Sequence, residues 1–418
     1  MENSFLLVIL FGLICCVLSG NNKLKERFSW KQVDFKFENE STREAALRSG
    51  DYVAENNVPL GVEVWKNKLF VTVPRWKAGV AATLTYIDLD ENESGSPKLK
   101  PYPNWEAHNL RNNGNGAGKI ANVFRLNVDV CDRLWLVDQG VADLLGGQIV
   151  IHNPKIQVYD LNKDQLIKEY TLPTHFIKND SLLSNIIADV KNKNCDEAFA
   201  YIADCGANAL IVYDLEKDES WRITHHFFHF DPLSGDYFVG TPSRGINFQW
   251  PDGIFGLALS GIQSNGYRIL YFHPLSSTRE FAVSTEIIQN KSIASQAYHK
   301  YKVLGSRGPD TQSLSSSLDE KNGVLFYTLL NKNGVGCWNS NNEEYSVDTN
   351  ALIASDEVTM LYPNDLKVDK NGRLWVLADK LSNFLYSQLN FTDINFRIFT
   401  AEVDQVVTGT VCDKNSSS

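Results

Sequence analysis

Three clusters hold residue types that could do chemistry, and each is judged by its spacing. The stretch GNGAGK, Gly114 to Lys119, resembles a phosphate-cradling loop. Asn113 stands where the first glycine belongs, Ile120 stands where Ser or Thr would hold Mg²⁺, and a strand pattern follows in place of a helix. It reads as a polar loop. The acidic run DLDENES, Asp88 to Ser94, begins like an EF-hand, but Glu93 replaces the turn glycine and Leu99 the bidentate glutamate. His225, His226 and His229 lie in WRITHHFFHF, whose alternation reads as a strand. On a strand, His225 and His229 would stand about 13 Å apart on one face and His226 on the other, too spread for one ion. No GxSxG, HExxH or Cys–His nucleophile pairing occurs, so the residues imply no catalytic set, no cofactor and no metal.

The cysteines depend on the compartment. Phe5 to Leu18 is an almost unbroken apolar run ending at Ser19 and Gly20, too short to span a bilayer and the right length for a signal-peptide core. Residues 1–20 are therefore expected to be cleaved, with Cys15 and Cys16, leaving residues 21–418 as a secreted chain. Cys131, Cys195, Cys205, Cys337 and Cys412 remain, enough for two disulfides and one thiol, without CxxC spacing for zinc. Six Asn-x-Ser/Thr sequons, at Asn39, Asn92, Asn179, Asn290, Asn390 and Asn415, are expected surface glycosylation sites. Fifty acidic against forty basic residues, with signs mixed along the chain, argue against nucleic acid or an anionic membrane as partner. No later segment is apolar enough for membrane insertion, and nothing sets the oligomeric state.

The elements behind these residues repeat. NVDV, a polar turn at Cys131–Arg133 and LWLVD form one copy; LKVDKNGRLWVLAD, from Leu366, forms another. Weaker copies begin at Gly61, Asp196, Gly266 and Glu320. Each joins a polar turn to a short apolar strand carrying an aromatic: Phe70, Trp135, Tyr201, Tyr271, Phe326 and Trp375. Their spacing suits four short strands per unit. Six such units closing radially give an all-β, six-bladed propeller as a single domain. Two tandem β-sandwiches are the alternative, but no linker divides the chain. Arg43 to Arg48 reads as a short helix. Arg27 to Phe37 alternates like a strand and is expected to complete the last blade beside Ile394 to Val403, closing the ring.

In this order, several segments resemble the yellow and major royal jelly protein family. They are SWKQVDF at Ser29, KLFVTVPRW at Lys68, PYPNW at Pro101 and VFRLNVDVCDRLWLVDQG at Val123. YIAD and LIVYDL follow from Tyr201, then DGIFGLALS at Asp252, GCWN at Gly336, YPNDLKVDKNGRLWVLADK at Tyr362 and NFTDINFRIF at Asn390. The resemblance implies a secreted six-bladed propeller with Cys131 paired to Cys195, Cys337 paired to Cys412, and Cys205 left as a thiol. Salivary relatives bind biogenic amines in the central channel, which carries over Phe255, Asn364, Asp379 and Leu381 as ligand residues, with Phe124 and Arg125 beside them. Two positions depart from the amine binders: Leu381 replaces an aromatic and Asp379 an amide. The implied ligand is a small aromatic amine or catechol, with a role in cuticle or pigmentation. Other relatives convert dopachrome, for which Asp379 would be the base and Arg125 the carboxylate clamp; a nutritive or structural role is the third reading.

Overall fold

The computed structural model describes residues 23–91, 95–111, 116–191, 194–240 and 245–413. The signal segment, Asn92 and Asn415 lie outside the described residues, as do parts of GNGAGK and DLDENES. Six four-stranded antiparallel sheets follow one another along the chain. The innermost strand of each is its first: Val62–Trp65, Val123–Val128, Leu183–Val190, Ile254–Leu259, Ser316–Asp319 and Pro363–Val368. These six neighbour one another in a closed ring. The fold is a six-bladed β-propeller, and short β-branched and aromatic runs suit it because both faces of each blade are buried against neighbours.

All six sequence copies fall where the repeat requires. Phe70, Trp135, Tyr201, Tyr271, Phe326 and Trp375 each sit on the second strand of successive blades, and all six are buried. Copies two and six share a device. In each, an Asp at the turn accepts the indole N–H of the Trp six residues later: Asp129 from Trp135 at 2.8 Å and Asp369 from Trp375 at 2.9 Å. The amphipathic ring is thereby buried with its polar tip satisfied.

The ring closes as expected, with a shorter strand. Lys25–Trp30 pairs antiparallel with Phe396–Glu402 and supplies the fourth strand of blade six. The alternation does not continue to Phe37, because the chain leaves the sheet after Trp30 and Phe35 bridges to Leu99 of the first blade's margin. The N-terminal helix runs Glu40–Ser49, longer than the apolar pattern suggested, since Asn39 caps it by accepting from the Thr42 N–H at 2.9 Å. The run WRITHHFFHF is also corrected: its strand stops at Thr224. His225 then caps a single 3₁₀ turn, accepting from the Phe227 N–H, and stacks on Tyr301.

Disulfides join Cys131 to Cys195 and Cys337 to Cys412, and Cys205 is a buried free thiol. The second bridge ties the C-terminal segment after the last strand to blade five. It spans a sequence separation of 75. Chain entropy gives such a loop about 4 kcal/mol of stabilisation. The Cys337→Ser/Cys412→Ser double variant is therefore expected to unfold at clearly lower urea concentration with an unchanged far-UV spectrum; an unchanged midpoint would contradict the assignment.

Candidate functional site

Four innermost strands enter the ring through a β-bulge. Pairing with the second strand slips at Phe124–Arg125, at Ser184, at Phe255 and at Asn364. A bulge inserts a residue that the ladder does not hold, so its side chain can be re-aimed. Four of the six residues inferred as ligand contacts are thus bulge residues at one end of the channel, called here the upper end. Asp379 and Leu381 follow the second strand of blade six and reach the same end. All six are buried, with exposures of 0–7%.

A polar chain links them. The Arg125 Nη2 donates to the Asn364 carbonyl at 2.6 Å and to its side-chain oxygen at 2.7 Å. The Asn364 amide donates to Asp379 Oδ2 at 2.6 Å, and the Leu381 N–H donates to Asp379 Oδ1 at 3.0 Å. The Arg125 guanidinium lies 4.7 Å above the Phe255 ring, so a face of Phe255 is already taken by a cation. Phe124 meets Trp76 edge-on at 4.8 Å.

Burial pushes the Asp379 carboxyl well above the usual carboxylate range, against the lowering pull of the Leu381 N–H, Asn364 and Arg125. Burial thus favours its neutral form. Blades two and three carry a carboxylate one register place earlier, at the strand end. Asp138 accepts from the backbone N–H groups of Ala121, Asn122 and Gly140, and Asp204 from those of Leu182 and Ala207. Those two are loop caps. Asp379 keeps one such bond and spends its other oxygen on Asn364.

Asp365, next to Asn364, had no role from sequence and is central here. Its Oδ1 lies 3.2 Å from Arg125 Nε and accepts from Ser315 Oγ at 2.6 Å; its Oδ2 accepts from the Val62 N–H at 2.9 Å. The visible signal was a carboxylate inside the alternating run YPNDLKV. Buried donors at this end without a hydrogen-bond partner among the described residues include Arg125 Nη1, Tyr362 Oη and Trp76 Nε1. Burial above all raises the Tyr362 hydroxyl, and Trp76 packs on Phe124. The Cys205 thiol lies 3.8 Å from Asp252, whose carboxyl burial raises to about 6.

A family profile described as Major royal jelly protein matches residues 121–412. Protein yellow of Drosophila erecta is 43% identical over 399 residues, covering 95% of this chain and 72% of that protein. Protein yellow of Drosophila melanogaster is 42% identical over the same length, with the same coverage. The chain belongs to the yellow and major royal jelly protein family. The long motifs from Val123 and from Tyr362 trace innermost and second strands, and others, such as LIVYDL and GCWN, trace third strands.

The remaining inferred positions lie away from this end. Among the sequons, Asn39, Asn179, Asn290 and Asn390 are exposed. At Asn39 the side-chain oxygen caps the helix, and the amide nitrogen, where a glycan would attach, makes no hydrogen bond among the described residues. Among the described residues, no group of three His, Cys, Asp or Glu is placed to hold a metal ion, and no helix is long and apolar enough to cross a membrane.

Breaking a buried pair costs more than omitting it, about 3–5 kcal/mol, because the surviving charge stays desolvated. Arg125→Met should lose stability on that scale by urea denaturation. Arg125→Met/Asp365→Asn should regain part of it, and additive losses would show that the two groups do not interact.

Proposed function

We propose that this yellow-family protein is a secreted propeller that binds a catechol-type ligand at the upper end of its channel, in cuticle or pigment biology. One observation carries the reading: Arg125 Nη1, Tyr362 Oη and Trp76 Nε1 are buried donors without acceptors. A buried donor left unpaired costs about 1–3 kcal/mol, which a ligand bearing acceptor oxygens would recover. Catechols and their quinones offer adjacent oxygens on a flat ring. An aromatic amine is supported less well, because an ammonium needs an anion and burial disfavours the Asp379 carboxylate. The relatives' printed name, Protein yellow, agrees with a pigmentation role. Secretion is supported by the signal-like segment and by two disulfides, which persist in oxidising compartments.

The dopachrome-converting reading has less support from the same geometry. It asks Asp379 to be a base, whereas burial raises its pKa and both its oxygens already accept hydrogen bonds, from Asn364 and the Leu381 N–H.

Calorimetry with 4-methylcatechol, dopamine and phenethylamine separates the determinants. The two catechols should bind alike, phenethylamine at least about tenfold more weakly, and Asn364→Ala should weaken the catechols by about tenfold. Equal binding of phenethylamine and dopamine would overturn the catechol assignment in favour of amine capture. Dopachrome loss should match that of heat-denatured protein. An acceleration of about 10² that disappears in Asp379→Asn would instead establish the enzyme.

A further inference from the structure

A second cavity lies outside the propeller axis. It is a groove of about 690 Å³ between the N-terminal helix, the margin of blade one and the ribbon Val141–Ala142/Ile149–Val150. That volume falls within the range of small-molecule sites, about 300–1,000 Å³. Phe37 and Trp105 line it as a stacked pair, 4.7 Å between centroids and 21° from parallel, both only half-buried. Val80 and Ala81 add apolar surface.

Its most deeply buried charge is a cation. Arg75 lines the groove at 7% exposure. Its guanidinium N–H groups go to carbonyls: Nε to Val80, Nη1 to Ile120 and Ala121, Nη2 to Ala81 and His108. It forms no ion pair with a described carboxylate, and burial pulls it down to about 10 although Asp138 acts the other way. Two residues on, Lys77 also lines the groove without an ion pair; its ammonium lies 4.2 Å from the Phe384 ring. The acids of the lining are mostly engaged: Asp51 with Arg111, Glu106 with Lys119, and Asp143 with the Gly147 N–H. Asp143, half-buried, and Glu38, exposed at the rim, form no ion pair among the described residues. A buried cation without an anion is costly, and a ligand anion brought beside it recovers part of that cost.

We propose that this groove is a second small-molecule site, for a flat aromatic carboxylate. The ring would lie against Phe37 and Trp105, and the carboxylate near Lys77 in the field of Arg75. The site is separate from the channel, though they share a wall. Between Arg75 and Lys77, Trp76 turns the other way and packs on Phe124 at the upper end of the channel.

The test uses the full secreted protein with 2-naphthoate and its neutral analogue 2-naphthol, followed by calorimetry. Wild type should bind naphthoate about tenfold more tightly than naphthol, and Lys77→Met should erase that preference. Trp105→Leu should weaken both. If Trp105→Leu folds poorly, Ala46→Trp serves instead, because it fills the groove from the half-exposed face of the N-terminal helix and removes no packing. Asn364→Ala, in the channel, should leave naphthoate binding unchanged. The proposal is overturned if naphthoate shows no saturable binding to about 1 mM, a weak limit of about −4 kcal/mol. It is equally overturned if naphthol binds as tightly as naphthoate in wild type, or if Asn364→Ala abolishes binding while Ala46→Trp does not.

Discussion

The Arg125–Asp365 pair at the upper end of the channel is the contact on which the ring depends. Both side chains are fully buried. Such a pair repays its desolvation only when the remaining lone pairs and protons are also met. Here other blades meet most of them, Arg125 Nη1 excepted among the described residues. Asp365 takes the Val62 N–H from blade one and the Ser315 hydroxyl at the entrance to blade five. Arg125, from blade two, reaches Asn364 in blade six and covers Phe255 in blade four. Asn185 of blade three donates to the Phe255 carbonyl at 3.0 Å. The hub touches every blade, so the ring register and the site geometry are set by the same atoms.

Further down the channel the same principle recurs with smaller groups. Glu63 of blade one accepts from the Val128 N–H of blade two at 3.3 Å, and Asn127 of blade two accepts from the Ala188 N–H of blade three at 2.9 Å. Ser317 of blade five accepts from the Val368 N–H of blade six at 3.0 Å. Innermost strands bond to their own second strands on one side only, so their free backbone donors need acceptors from the neighbouring blade. Gly61 shows how tight the fit is: an added Cβ would lie 2.5 Å from the Phe124 carbonyl, which already accepts the Thr72 hydroxyl at 2.5 Å.

Repetition also explains where function can lodge. Asp138 and Asp204 end the second strands of blades two and three, and Asp379 lies one residue past the corresponding place in blade six, which Ala378 holds. The first two cap loops through several backbone N–H groups. The third keeps a single backbone donor and turns to the Asn364 bulge. A blade that sets its carboxyl one residue further on releases it from most loop capping, at the cost of keeping it buried. Cys205 follows the same logic, a small buried side chain against Asp252 at the edge of the site.

The sequence by itself determined the repeat, the number of blades, the closing strand and the family. Those features are written in local alternation and turn residues, which act over ten or fifteen positions and survive as pattern. Asn364 and Asp379 were legible because family motifs mark them, but their roles were not. Whether Asp379 is a free anion or a neutral, bonded carboxyl depends on how much water and how many donors surround it. That is settled by strands far apart in the chain. The strand through His225 failed for a related reason: alternation of aromatic and polar residues cannot show that the ladder has run out of partners. Only the tertiary structure decided that Asp365 is the hub, that the site residues stand on bulges, and that Arg75 lies buried without an anion. Bulges and burial are properties of pairing between segments, and no single segment encodes them.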